Sequence, residues 1–165
     1  MQPLTADEIR ASMVNVTADD IARMPLPGLH ETVWEEREYL GWRDPTFAQR
    51  GYIVYWREGK PFGMVLRSAS STMSRGISAM CSLCRTHQPG SQVSLFTVPK
   101  AGQAGRDGNT IGTYICSDLA CSTIIRIIPA PSDMQPNPSG LVETRSSGLL
   151  RRLDSFTSEL IKPAA

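Results

Sequence analysis

The chain has 165 residues, 41% of them hydrophobic and 20% charged, a composition that suits one packed domain with an extension and excludes wholesale disorder. Seventeen Lys and Arg stand against sixteen Asp and Glu, for a net charge of +1, which excludes a polybasic, histone-like binder. The balance hides a segregation that steers partners without dictating fold: residues 1–58 hold ten acids and six bases, residues 59–126 hold two acids and seven bases, and the tail from 127 has four of each.

Met1-Gln2-Pro3-Leu4 lacks the basic-then-apolar pattern of a signal peptide. No stretch approaches the roughly 18 consecutive apolar residues of a membrane span, and the most apolar run, 124–128, is broken by Arg126. A soluble cytoplasmic protein without a membrane partner is expected. Thr5-Ala6-Asp7-Glu8 reads as a capping box opening a short helix whose buried stripe is Ile9, Met13 and Val16. Asn15 or Thr17 caps a second short turn over 19–24, stopped by Pro25 and Pro27. Residues 30–40 are acidic and helix-tolerant, and residues 41–45, Gly-Trp-Arg-Asp-Pro, read as a turn. Trp42 and Arg43 are expected to anchor that turn to a sheet, and Trp34 and Trp56 to enter the core.

Tyr52, Val54 and Trp56, then Phe62, Met64 and Leu66, repeat with period two around Arg57-Glu58-Gly59-Lys60, the signature of a hairpin. A Ser-rich stretch, 68–78, leads to the first cysteines. Val93, Leu95, Phe96 and Val98 predict another strand, paired with Ile111, Thr113 and Ile115 across a long, mobile, glycine-bearing tip at 100–109. Residues 117–128 place Cys121, Ile124, Ile125 and Ile128 on one helical face, with Ser117 or Asp118 as cap and Pro129 as stop. Prolines then mark a stiff connector over 129–140. Beyond it Leu149, Leu153, Phe156 and Leu160 form the apolar stripe of a carboxy-terminal amphipathic helix, weakened by Gly148.

All four cysteines fall in two pairs, Cys81-x2-Cys84 and Cys116-x4-Cys121, separated by 31 residues. In a reducing compartment such a set points to metal before disulfides. A Cys-x2-Cys turn brings two thiolates to one tetrahedral Zn2+, at about 2.3 Å per Zn–S bond. The hairpin between the pairs returns the chain to its start, and the second pair bridges a strand end and a helix start. Knuckle, hairpin and ligand-bearing helix are the layout of a treble-clef zinc finger. His87 competes as a ligand, with a surface role the simpler reading. Four sulfurs leave no position for substrate water, so the zinc is structural, and the chain lacks His-Glu-x2-His and nucleophile-elbow signatures. Such a zinc contributes on the order of 10–16 kcal/mol in small fingers, comparable to the roughly 5–15 kcal/mol of a whole domain. Gly102, Gly105 and Gly108 mimic a phosphate loop, but no Gly-Lys-Ser/Thr follows.

Residues 40–45 (Leu-Gly-Trp-Arg-Asp-Pro), 63–67 (Gly-Met-Val-Leu-Arg), 80–84 (Met-Cys-Ser-Leu-Cys) and 112–121 (Gly-Thr-Tyr-Ile-Cys-Ser-Asp-Leu-Ala-Cys) together resemble the FBP family. This is the carboxy-terminal treble-clef zinc-finger domain of bacterial elongation-factor-G-binding proteins, a group that includes the FusB-type fusidic acid resistance proteins. The resemblance covers roughly residues 38–130. It implies binding of elongation factor G, release of that factor from the ribosome, and zinc ligation by Cys81, Cys84, Cys116 and Cys121. The resistance proteins carry a long helical bundle ahead of the finger, and residues 1–37 are too short and proline-interrupted to supply one.

The expected architecture is α+β: a small antiparallel sheet with a four-cysteine treble-clef site, short N-terminal helices and a C-terminal amphipathic helix. Its expected divisions are an extension (1–37), the finger domain (38–128), the connector (129–140) and the final helix (141–165). A partner surface is expected from Arg67, Arg75, Lys100, Arg106 and Arg126 with the rings of Phe96 and Tyr114. Such a surface suits an acidic protein patch or, as the alternative function, RNA or DNA; no small-molecule substrate is expected.

Overall fold

The computed structural model describes residues 1–71, 73–74, 76–131 and 140–163. Five strands, β1 (Tyr39–Arg43), β2 (Arg50–Arg57), β3 (Lys60–Ser68), β6 (Val93–Pro99) and β7 (Thr110–Cys116), form one antiparallel sheet in the order β1-β2-β3-β6-β7. Two short strands, β4 (Ser78–Met80) and β5 (His87–Pro89), form a separate ribbon in the crossover from β3 to β6. The β2–β3 hairpin closes through Glu58 and Gly59 at φ 50° and 75°, the positive dihedrals of a two-residue turn that follows strand twist.

Alternation along the strands sorts the apolar residues onto two faces. Tyr39, Ile53, Tyr55, Met64, Leu66, Phe96 and Ile115 share one cluster with all four cysteines. Leu40, Trp42, Tyr52, Val54 and Val65 join Ile9 and Met13 in a second cluster on the opposite face. β2 is therefore covered on both sides, which explains its uninterrupted Tyr-Ile-Val-Tyr run.

The N-terminal segments build the second face. Helix α1 (Ala6–Ala11) begins with the expected reciprocal capping box between Thr5 and Glu8, and Thr17 caps α2 (Ala18–Ala22) by accepting from the Asp20 amide. Asn15 is not a cap. Its amide group donates to the carbonyls of Val65 and Pro99 at 2.9 and 3.1 Å and accepts from the Val65 N–H at 2.9 Å.

The carboxy-terminal helix α5 (Leu141–Ile161) covers the first face, burying Leu149, Leu153 and Leu160 completely, with Phe156 at the margin. Gly148 is buried within it.

Several expectations change. Residues 30–40 form two 3-10 turns, Leu29–Glu31 and Trp34–Glu36, in place of an acidic helix. They lack an apolar stripe of helical period, and from Tyr39 the chain pairs with β2 instead. Gly41, Trp42 and Arg43 accordingly lie in β1, and the turn starts at Asp44. A side chain at Gly41 would stand 2.6 Å from the Leu119 carbonyl oxygen, so only glycine lets the cysteine-bearing loop approach β1 this closely. Trp42 and Arg43 do act as anchors: the Trp42 indole donates to the Pro25 carbonyl at 2.9 Å, and Arg43 donates to Ser117 and Ser68 and covers the Phe96 ring. Trp34 and Trp56 are only half-buried at the rim of the second cluster.

The β6–β7 tip is folded, not an open loop. Helix α3 (Gly102–Arg106) occupies it, Ala104 is buried, and the Ala101 amide donates to the Leu160 carbonyl of α5 at 3.1 Å. The helix expected over 117–128 shrinks to α4 (Cys121–Ile124), because Leu119 takes φ 61° and turns the chain before any helix begins. Ile125 is buried as its spacing suggests, but Ile127 and Ile128 are exposed. Of the expected connector, residues 132–139 lie outside the described residues.

Candidate metal centre

Each cysteine sits where a backbone turn aims its sulfur inward. Cys81 follows β4 and Cys84 ends the tight turn before β5, a knuckle in which the Cys84 N–H donates to Cys81 Sγ at 3.4 Å and the Arg85 N–H to the Cys81 carbonyl at 3.0 Å. Arg85 takes φ 59° to close it. Cys116 ends β7. The Leu119 N–H returns to the Cys116 carbonyl at 2.9 Å and Asp118 Oδ1 accepts from the Ala120 N–H at 3.0 Å, which sets Cys121 at the first position of α4.

The four Sγ atoms all lie within 4.8 Å of one another. Cys81 to Cys121 and Cys84 to Cys116 are each 3.6 Å, and Cys116 to Cys121 is 3.5 Å. Those separations are too long for disulfides. They fit a sulfur tetrahedron around zinc, whose edge is about 3.8 Å for 2.3 Å bonds. All four residues are buried.

Among the thiols themselves, hydrogen bonds from Cys116 and Cys121 pull Cys81 and Cys84 below their ordinary values. Hydrogen bonding with Cys116, Cys81 and Cys84, and then burial, holds the Cys121 thiol well above. A divalent cation removes this conflict by allowing four thiolates side by side. A structural zinc at such a cluster acts as a rigid cross-link, since four sulfurs are enough to fill a tetrahedral shell.

Groups around the cluster support it. Gln88, on β5, donates its side-chain N–H to Cys116 Sγ at 3.2 Å, and the Tyr39 hydroxyl accepts from the Cys121 N–H at 3.3 Å. Burial, then the nearby Cys121, pushes the Tyr39 phenol well above its ordinary value. His87 is exposed on the ribbon and is not part of the sulfur cluster. Neither the ribbon nor Gln88 was legible in sequence, because three-residue strands are too short to show a period.

The sequence-derived partner residues do not form a single surface. Arg67, Lys100 and Arg106 come together on one groove, described below. Tyr114 is 45% exposed, but Phe96 is fully buried. Leu95 pairs with Tyr114 and Phe96 with Thr113, so the two rings point to opposite faces of the sheet and Phe96 leaves the candidate surface. Arg126 is also spent internally: its guanidinium makes two bonds, 2.8 and 2.9 Å, to the buried carboxylate of Glu38. Arg75 lies outside the described residues.

Glu38 collects further partners that sequence reading missed. Its carboxylate accepts from the Ser146 hydroxyl of α5 at 2.8 Å, and its N–H donates to Ser122 Oγ of α4 at 3.1 Å. Burial disfavours its ionisation, but the bonds from Arg126, Ser146 and Ser122 prevail and hold the carboxyl below its ordinary range. The cluster locks the start of β1, the end of α4 and α5 together beside the sulfurs.

A short sheet crossed by a knuckle, a hairpin and a ligand-bearing helical turn defines a treble-clef zinc finger stabilised by structural zinc. The family model described as "FBP C-terminal treble-clef zinc-finger" matches residues 8–160, and the chain belongs to that family. The match reaches past 38–130 at both ends, taking in most of α1 and nearly all of α5. Among solved structures, one titled "Structure of the fusidic acid resistance protein FusC" has the same fold, with a TM-score of 0.61 at 17% identity. The alignment covers 98% of this chain and 60% of that one, so this chain spans about three-fifths of its length. No curated protein matches the sequence significantly. Among the described residues no helix is long and apolar enough to cross a membrane.

Proposed function

We propose that this chain is a non-catalytic, cytoplasmic binding protein that engages elongation factor G, free or on the ribosome, and so modulates translation. In this reading Cys81, Cys84, Cys116 and Cys121 each ligate the zinc, which fixes a rigid platform that the binding surface needs. The observation that supports it is membership of the FBP treble-clef zinc-finger family across residues 8–160, together with the elongation-factor-G binding that the resemblance implies. The solved relative's title, a fusidic acid resistance protein, agrees with a translation-linked role. The nucleic-acid alternative keeps cations but loses its ring platform, because Phe96 is buried and only Tyr114 of that pair is exposed.

The test is direct titration of purified, zinc-loaded protein with purified elongation factor G by calorimetry. Saturable binding that disappears in Cys116→Ser supports the proposal. Absence of binding at tens of micromolar with confirmed zinc overturns it. Binding to ribosomal RNA instead, falling log-linearly with salt, would install the alternative.

A further inference from the structure

The face opposite the sulfurs carries a groove of about 400 Å³ between α2 and the β6–β7 tip. It exists because β3 and β6 pair only through Arg67↔Thr97 and Ser68↔Phe96 and then part. Asn15 fills the fork, satisfying the N–H and carbonyl of Val65 and the carbonyl of Pro99. The backbone there needs no added strand, so an occupant is recognised by side chains.

Those side chains have two kinds of chemistry. Val14, Val16, Ile21 and Val65 make an aliphatic floor, while Arg50, Arg67, Lys100 and Arg106 stand around it. The one carboxylate in the lining, Asp20, is already engaged: it accepts from the Thr17 hydroxyl at 2.7 Å and lies 3.5 Å from Arg50. Among the described residues, no carboxylate lies within ion-pair distance of Arg67, Lys100 or Arg106. Arg106 and Lys100 are steadied by neutral oxygens instead, Gln103 Oε1 at 3.0 Å and the Lys162 carbonyl at 3.4 Å. Three cations without counter-charge, two of them steadied by neutral oxygens, stand beside an apolar floor and are complementary to an anion with an aliphatic part. The one aromatic ring in the lining, Tyr52, is 2% exposed and offers no stacking face within the groove, and the exposed ring of Phe47 lies beyond it, under the Arg50 guanidinium at 5.1 Å.

We propose that this groove binds an acidic peptide segment, with one or two carboxylates on Arg67, Lys100 and Arg106 and an aliphatic side chain on the floor. It rests on the reading above only in taking the partner to be a protein. The volume lies near the lower end of the ~300–1,000 Å³ of ligand sites and accommodates a few residues.

The test is fluorescence anisotropy of the full-length, zinc-loaded chain with a labelled, end-capped hexapeptide, Glu-Leu-Asp-Glu-Leu-Asp. Its Gln/Asn counterpart, inorganic phosphate and single-stranded oligouridine serve as competitors. Saturable binding is expected, weakened roughly tenfold or more by Arg67→Glu with Lys100→Glu, and also by Ile21→Ser. Lys60→Glu, at the exposed first residue of β3, should leave it unchanged, and circular dichroism should report the same fold for every variant. Lack of peptide binding, or equal binding of the Gln/Asn peptide, overturns the proposal. Displacement by oligouridine or by phosphate at comparable concentration also overturns it, in favour of a nucleic acid or a simple anion. If elongation factor G binds the double variant as tightly as the wild type, the groove fails while the factor-binding reading stands.

Discussion

Glu38→Gln removes one charge from a buried cluster without changing its shape. The Glu38 side chain is 4% exposed and that of Arg126 24%, with the closest ion-pair contact at 2.8 Å. Breaking a buried pair costs about 3–5 kcal/mol because a charge is left uncompensated. Two features reduce that here: Arg126 keeps some access to water and also donates to the Ser122 carbonyl at 2.8 Å, and the glutamine oxygen still accepts one bond. The expected loss is about 2–3 kcal/mol at pH 7, read by urea denaturation of the zinc-loaded proteins through tryptophan fluorescence. The sign of its pH dependence follows from the carboxyl lying lower in the folded protein than its ordinary 4.5. Its stabilisation is complete above the unfolded-state value and is lost as pH falls through the folded one. The gap between wild type and variant should therefore hold from pH 7 to 5 and narrow below about 4.5. Comparing the two proteins cancels the acid sensitivity of the zinc thiolates, which both share. A loss under about 0.5 kcal/mol, typical of an exposed pair, or a gap that does not change below pH 4.5, would refute this account of the cluster.

Zinc withdrawal by a strong chelator should abolish the cooperative unfolding transition and lower the strand signal in circular dichroism, since structural zinc contributes on the order of 10 kcal/mol; an unchanged spectrum after verified metal removal contradicts it. Gln88→Leu deletes the N–H bond to Cys116 Sγ and should speed zinc transfer to a colorimetric chelator by roughly 10-fold or more, with the spectrum retained. Leu153→Ala opens a cavity where α5 meets the sulfur-bearing face and should cost about 2–5 kcal/mol in urea denaturation; a loss below 1 kcal/mol, about that of an exposed site, would mean that α5 is not packed there.

Local chemistry was legible in the chain. The Thr5–Glu8 capping box, the hairpin turned by Glu58 and Gly59, the Leu149–Leu153–Leu160 stripe and the two cysteine pairs each depend on residues within a turn or two of one another, so their spacing carries the information. What the tertiary structure decided depends on partners distant in sequence. Residues 39–43 became a strand because β2 offered them hydrogen bonds, and Gly41 serves a loop near residue 119. The helix over 117–128 was cut short by the turn that aims Cys121 at the other sulfurs. Phe96 could be read either as core or as a surface ring and Arg126 as a surface cation, because the sheet face of one and the Glu38 carboxylate beside the other are not visible in sequence. The groove belongs to the same class: Arg67, Lys100 and Arg106 are scattered cations until the divergence of β3 from β6 sets them around one aliphatic floor.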